Sequence, residues 1–289
     1  MCMDNLNTIF FVCMSKNCFN NLQKNINFLL QFKEKTKFDV KIFIVDSDSD
    51  DGTKEYSLNL ERKLLVDKFI EIDNLEKNYL SRIERLTICR NNSLLEIKEY
   101  DLNQIIYVPI DSDIFIFEHT SFDDIENIID QLVENKDWDG IFPFSIPYYY
   151  DIFALRKAGW VEENNLLKAK EWKQKIKFGT FFINYFYIFR KQVSKNYFNQ
   201  DTIKVNSAFG GIGIYKIKHI QNLKYKYLPD FQNIDFVSEH INFNLNFKNL
   251  FVLKNWNIPA PNEYIYFKNW NFKDKLIYIL KTIKNDFKN

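Results

Sequence analysis

Glycine and proline are scarce in this chain, seven and six in 289 residues. No glycine follows the first apolar run, where Cys13-Met14-Ser15-Lys16-Asn17 stands, and this argues against a Gly-rich phosphate loop at that point. No Pro/Ser/Gly-rich linker interrupts the chain, so it reads as one continuous globule. The four cysteines, Cys2, Cys13, Cys18 and Cys89, show no paired metal spacing, and a disulfide framework does not suit a chain of this size. The expected compartment is reducing and cytosolic. Neither sign of charge dominates: 39 Lys and Arg face 38 Asp and Glu, a formal net charge of +1. Nucleic acid is therefore not an expected partner. No stretch reaches the roughly 18 to 20 apolar residues of a membrane span. The opening Met1 to Met14 lacks a basic n-region and a small-residue cleavage site, so Ile9–Met14 reads as a first buried strand and not a signal peptide.

Apolar residues are abundant: 46% of the chain is hydrophobic and 17% aromatic, enough for a sizeable core. The bias toward Lys, Asn, Ile and Phe reads as the mark of an AT-rich genome. The short, almost wholly apolar run at 8–14 is expected of a strand buried on both faces, 40–45 reads as the second buried strand, and further strands fall at 68–72, 104–110 and 138–144. Helical spacing of apolar residues predicts helices over 20–33, 53–65, 81–100 and 122–134. Strands alternating with helices predict an α/β fold with a mostly parallel sheet. From about Pro147 aromatics dominate and the period is lost. No internal repeat is present.

Two strands end in carboxylates. The run Ile105-Ile106-Tyr107-Val108-Pro109-Ile110 delivers Asp111, Ser112 and Asp113 to its far end. In an open α/β sheet that edge is where ligands bind, and two hard oxygen donors there suit a divalent cation that also holds a diphosphate. Val40–Val45 runs into Asp46-Ser47-Asp48-Ser49-Asp50-Asp51-Gly52-Thr53. Asp46 at the same edge could accept hydrogen bonds from a base or ribose; the plain alternative is a solvated turn capping the next helix. Arg90 lies in the helix before the Asp-x-Asp strand, where it could reach a phosphate or simply face solvent.

These features in this order resemble the GT-A class of nucleotide-sugar glycosyltransferases, over roughly residues 8–245. The resemblance implies a Rossmann-like central sheet with a smaller aromatic-rich acceptor region. It implies a donor site built from Cys13, Asp46, Asp48, Arg90, Asp111 and Ser112, and Mn²⁺ or Mg²⁺ on Asp111 and Asp113. Tyr149-Tyr150-Asp151-Ile152-Phe153-Ala154-Leu155-Arg156 is similar to a stretch of the capsule-associated α-mannosyltransferases, with Phe153 where that group has Trp. Asn206–Tyr215, with Gly210 and Gly211, looks like the family's acceptor loop, where glycine lets backbone approach a sugar. The alternative is a β-bulge in a core strand. Ser238-Glu239-His240 falls where the family opens a helix facing the sugar. Glu239 and Asp151 are thus the expected catalytic carboxylates, Arg156, Gly210 and Gly211 the acceptor contacts, and His240 a third metal ligand or an acceptor contact. Likeness to the mannosyltransferases implies retention of anomeric configuration, whereas an acid after the Gly-rich loop implies inversion. His119 and His219 read as surface or packing residues.

The expected activity is glycosyl transfer from a nucleotide sugar, GDP-mannose or a UDP-sugar, to a hydroxyl of a surface glycan or lipid-linked glycan such as capsule or lipopolysaccharide. A nucleotidyltransferase acting on sugar phosphates and a non-catalytic nucleotide-sugar-binding module are the alternatives. The expected division is a domain over 1–262, with a nucleotide half at 1–146 and an acceptor half at 147–262, then an amphipathic helix in 263–289. That helix either packs on the domain or docks at the inner face of the cytoplasmic membrane.

Overall fold

The computed structural model describes residues 8–100, 102, 104–176, 178–218, 220–228, 237–262, 265 and 270–286. Cys2, His219 and the first residues of the expected tail helix, around Tyr264, lie outside them. The first half alternates as expected: β1 (Thr8–Ser15), α1 (Phe19–Lys35), β2 (Asp39–Ser47), α2 (Thr53–Arg62), β3 (Lys68–Ile72), α3 (Leu75–Asn78), α4 (Arg82–Lys98), β4 (Gln104–Asp111), α5 (Phe122–Glu134) and β5 (Gly140–Ile146). The second half adds α6 (Asn165–Lys175), α7 (Thr180–Tyr187), β6 (Thr202–Val205), β7 (Ile214–Lys218), α8 (Glu239–Asn244), β8 (Leu250–Pro259) and α9 (Phe272–Asp286).

All eight strands join one sheet in the order β3-β2-β1-β4-β7-β5-β8-β6. Strands β3, β2, β1 and β4 pair in parallel, and β5 pairs in parallel with β8. Strands β7 and β6 run against their neighbours. The expected mostly parallel, helix-flanked α/β sheet is therefore present. The Gly-rich segment before β7 makes only an isolated bridge, Ile212 to Ile110, and then supplies the antiparallel strand wedged between β4 and β5.

The local chemistry accounts for these elements. Side chains alternate across β1, so Ile9, Phe11 and Cys13 pack with α1 on one face while Phe10, Val12 and Met14 join the core on the other. Ser81 caps α4 through a 3.0 Å bond from the Glu84 amide, and Ser121 with Asp124 forms a capping box at α5. The buried Lys216 ammonium on β7 donates to the carbonyls of Leu132 and Asn135 at the C-terminus of α5, where a cation complements the helix dipole. His119 is exposed, and Cys13, Cys18 and Cys89 are buried free thiols. Among the described residues no helix is long and apolar enough to cross a membrane.

Candidate active site

Register brings the chemistry to one edge. Ser15 lies level with Asp46, and Met14 level with Asp111, at the carboxyl ends of three adjacent parallel strands. The Asp111 amide donates to the Gly211 carbonyl at 2.8 Å and the Ser112 amide to the Met14 carbonyl at 3.0 Å. Beyond the strand, two asparagines of α1 hold the loop. Asn21 donates to the Asp113 carbonyl at 2.6 Å, and Asn25 donates to the Ile114 carbonyl at 2.8 Å while accepting from the Ile116 amide.

Asp111 and Asp113 stand where two cavities meet. One, of about 290 Å³, is walled by Met14, Ser15, Lys16, Ser47, Glu76 and Arg85. The other, of about 250 Å³, is walled by Tyr150, Asp151, Phe209, Gly211, Glu239 and His240. Asp111, Asp113, Arg82 and Leu86 line both. The second cavity needs a bare backbone at Gly211: its φ is +92°, and a Cβ there would come within 3.1 Å of Ile116 Cδ1 and Tyr150 Oη. The Gly210 amide donates to Asp151 Oδ2 at 2.9 Å and the Ala154 amide to Oδ1 at 3.1 Å, while burial pushes the Asp151 carboxyl above its ordinary range.

Arg90, expected at the donor site, is buried and lines neither of the two cavities. Its guanidinium is 1% exposed and bridges two of the expected site residues. Nη2 donates to Asp111 Oδ1 at 2.7 Å and Nε to Glu239 Oε1 at 2.9 Å, while Nη1 has no hydrogen-bond partner. Phe209 and Tyr225 lie beside it, ring centroids 5.1 and 5.6 Å away. The flanking carboxylates of Asp111 and Glu239 hold the Arg90 pKa well above its ordinary value, against the pull of burial. The side chain thus ties α4 to α8 and to the end of β4.

Other expected site residues are engaged elsewhere. The Cys13 thiol points into the core with Leu22 and Ile26, and burial pushes its pKa up to about 12; its neighbours Met14 and Ser15 form the cavity wall instead. Asp46 is buried and accepts from Ser15 Oγ, Ser49 Oγ and the Ser49 amide, shaping the turn. Asp48 accepts from the Asn74 and Glu76 amides at 2.6 and 2.9 Å, so it tethers the entry to α3. Arg156 donates to the carbonyls of Phe153 and Leu155. Sequence reasoning missed Lys16, Glu76, Arg82 and Arg85. A signal existed for the arginines: Arg82, Arg85-Leu86 and Cys89-Arg90 recur at helical spacing on one face of α4. Lys16 pairs with Glu76, and Arg85 Nη2 lies 3.9 Å from Glu76.

Two carboxylates at the cavity junction, with phosphate and water completing the coordination, match what Mg²⁺ or Mn²⁺ takes. Among the described residues no three His, Cys, Asp or Glu side chains converge as a metal cage, so His240 does not form a ready third ligand with Asp111 and Asp113. Its ring stacks on Phe209 at 3.6 Å, with Nε2 3.5 Å from Glu239 Oε1. Neither ring nitrogen has a hydrogen-bond partner. Burial, helped by the Arg90 charge, holds the His240 pKa well below its ordinary value. Below about pH 6.5 the unfolded chain gains a proton that the folded one refuses, so stability falls as pH drops through that value. Replacing His240 with Phe is expected to flatten this part of the stability profile, read as urea midpoints between about pH 7.5 and 5.5.

The chain is a glycosyltransferase by its family match, and this site lies at the carboxyl edge of its sheet. The family model described as "Cryptococcal mannosyltransferase 1" matches residues 8–246, and the chain belongs to that family. Among solved structures it is similar to mannosyl-3-phosphoglycerate synthase from Rubrobacter xylanophilus, at 10% identity and a TM-score of 0.44, covering 98% of this chain and 74% of that one. It is also similar to S. aureus TarS in complex with UDP, at 14% identity and a TM-score of 0.43, covering 98% of this chain and 66% of that one. Glucosyl-3-phosphoglycerate synthase from Mycobacterium tuberculosis, in complex with Mg²⁺ and UDP, gives 13% identity and a TM-score of 0.31, covering 48% of this chain and 44% of that one. No curated protein matches the sequence.

Proposed function

We propose that this glycosyltransferase moves a sugar from a nucleotide-sugar donor, GDP-mannose or a UDP-sugar, to a hydroxyl of a surface glycan, with Mn²⁺ or Mg²⁺ as cofactor. The observation that carries the reading is that Asp111 and Asp113 line both cavities. A nucleoside in the Ser15–Glu76 cavity would have its diphosphate at those carboxylates and its sugar beside Tyr150 and Gly211. The nucleotide half, 1–146, then supplies the whole first cavity, and the acceptor half, 147–262, most of the second. The family's description supports mannose as the sugar.

Each side chain has a distinct task in this reading. Two carboxylates and a diphosphate share one sign, so Asp111 and Asp113 would hold a divalent cation that offsets charge on the departing nucleotide. Lys16, Arg82 and Arg85 add positive charge to the same cavity. Glu239 is committed to Arg90 through Oε1, so we assign it to positioning α8. Asp151 lines the same cavity and keeps lone pairs beyond the two backbone amides it accepts from, so we assign it to a sugar hydroxyl. Neutral His240 offers one donor and one acceptor to sugar hydroxyls, and Gly211 admits the sugar closely.

Thermal-shift measurement against UDP, GDP, CDP and their sugars, with and without Mn²⁺, tests the reading. A ligand at about 100 times its dissociation constant stabilises by roughly 2.7 kcal/mol. A Mn²⁺-dependent rise with one base is the expected result; no rise with any of them overturns the donor site.

A further inference from the structure

We propose that α6, α7 and α9 together form a face that seats the protein on an anionic lipid bilayer, with the acceptor cavity at its edge. The tail helix is first fixed to the domain. Asp286 accepts from the Gly179 and Thr180 amides and the Thr180 hydroxyl, capping α7. Tyr278 Oη accepts from Asn184 at 2.7 Å, and the Tyr278 ring meets Phe181 and Phe189. These contacts use the side of α9 that carries Tyr278, Thr282 and Asp286.

The neighbouring side of α9 is exposed. At about 100° per residue, Phe272, Leu276, Leu280 and Ile283 fall within an arc of about 80°. All four are exposed, Phe272 by 82% and Leu280 by 56%. Lys273 and Lys284 follow immediately on the solvent side of that stripe. Helix α7 extends the apolar surface through Phe182 and Phe186, with Phe178 just before it, and an almost wholly apolar cleft runs between α7 and α9. Of the nineteen large apolar side chains exposed among the described residues, eleven lie in 172–186 or α9. Single exposed apolar residues are ordinary, but such a concentration marks an interaction surface.

Charge selects the occupant. Helices α6 and α9 carry eight lysines against Glu171, Asp274 and Asp286, and Asp286 is already bonded to α7. The two helices thus hold eight positive charges against three negative ones in a chain whose net charge is only +1, with Lys168 3.8 Å from Glu163 and 3.6 Å from Glu171. A second copy docked about a two-fold axis would bring two surfaces of the same net positive charge together. Anionic headgroups meet both features, because apolar side chains enter the acyl boundary while lysines stay at the phosphates. The same helices reach the chemistry: Leu166 of α6 and Ile188, directly after α7, line the second cavity. The inference rests on the transferase reading only for its purpose, presentation of a membrane-held acceptor.

Co-sedimentation of the full chain with phosphatidylcholine vesicles, with and without phosphatidylglycerol, tests it. Binding is expected to the anionic vesicles only, and to weaken as salt is raised. A Leu276→Asp, Leu280→Asp variant should lose binding with its unfolding midpoint unchanged. Each lysine near the surface contributes about fivefold in affinity, so Lys273→Glu with Lys284→Glu should weaken binding by more than tenfold. Absence of binding, equal binding to neutral vesicles, or undiminished binding by the leucine variant would overturn the inference. So would a concentration-dependent dimer in light scattering without vesicle binding, which gives the face to a second copy. Vesicle binding by a chain that shows no nucleotide-dependent thermal shift would keep this inference and remove the donor site.

Discussion

Replacing Arg90 with Met is expected to destabilise the protein by about 3–5 kcal/mol, the usual cost of removing one partner from a buried ion pair. The reason is the fate of Glu239, whose side chain is 4% exposed. Without the Arg90 Nε–H it keeps a buried negative charge and loses its cation. Asp111 suffers less, being 32% exposed and open to water at the cavity junction. For a chain of this size the loss corresponds to a fall of about 10 °C in melting temperature. Arg90→Lys should recover little, because one ammonium cannot reproduce the fork that spans two carboxylates. The double variant Arg90→Met, Glu239→Met should regain most of the loss, since a buried pair exchanged for apolar groups is often neutral. If the single and double variants melt alike, the bridge is not what holds α8 to α4.

The same bridge marks a boundary of what the sequence carries. Buried parallel strands are continuous apolar runs, so Ile9–Met14 and Ile105–Ile110 were legible, as were the acids at their ends. The apolar spacing of Ile125, Ile128, Ile129 and Leu132 made α5 equally plain. Arg90 was located on its helix, but its partner Glu239 is 149 residues away, and no local pattern encodes that meeting. Asp48 illustrates a second limit, because an acid-rich turn has one composition whether it binds a ligand or caps the next loop. Strand β7 illustrates a third. It enters between β4 and β5 by non-local antiparallel pairing, so neither its place nor the burial of Lys216 follows from period or propensity. The composition of the aromatic run 178–189 suits a core or rings that stack on sugar faces, and it does not show that Phe182 and Phe186 face outward, since hydrophobicity alone does not tell a core from an interface.

Replacing Asp113 with Ala is expected to lower glycosyl transfer by about 10³-fold while leaving the fold intact. Loss of several kcal/mol of charge stabilisation at the leaving group sets that scale. The loop survives the change because its anchors are main-chain: Asn21 holds the Asp113 carbonyl and Asn25 the Ile114 carbonyl. Asp111 is the poorer test, since its removal also takes a partner from Arg90 and mixes stability with catalysis. The variant should melt close to the parent, consistent with the small effect of most changes outside the core. Its thermal shift with nucleotide should no longer depend on Mn²⁺, a readout independent of turnover. A second measurement, transfer at rising Mn²⁺, separates weakened cation binding from lost chemistry, because the former is restored by excess cation. Full transfer by Asp113→Ala at ordinary Mn²⁺ would remove the carboxylate pair from the mechanism, and with it the argument that the two cavities meet at the reacting bond.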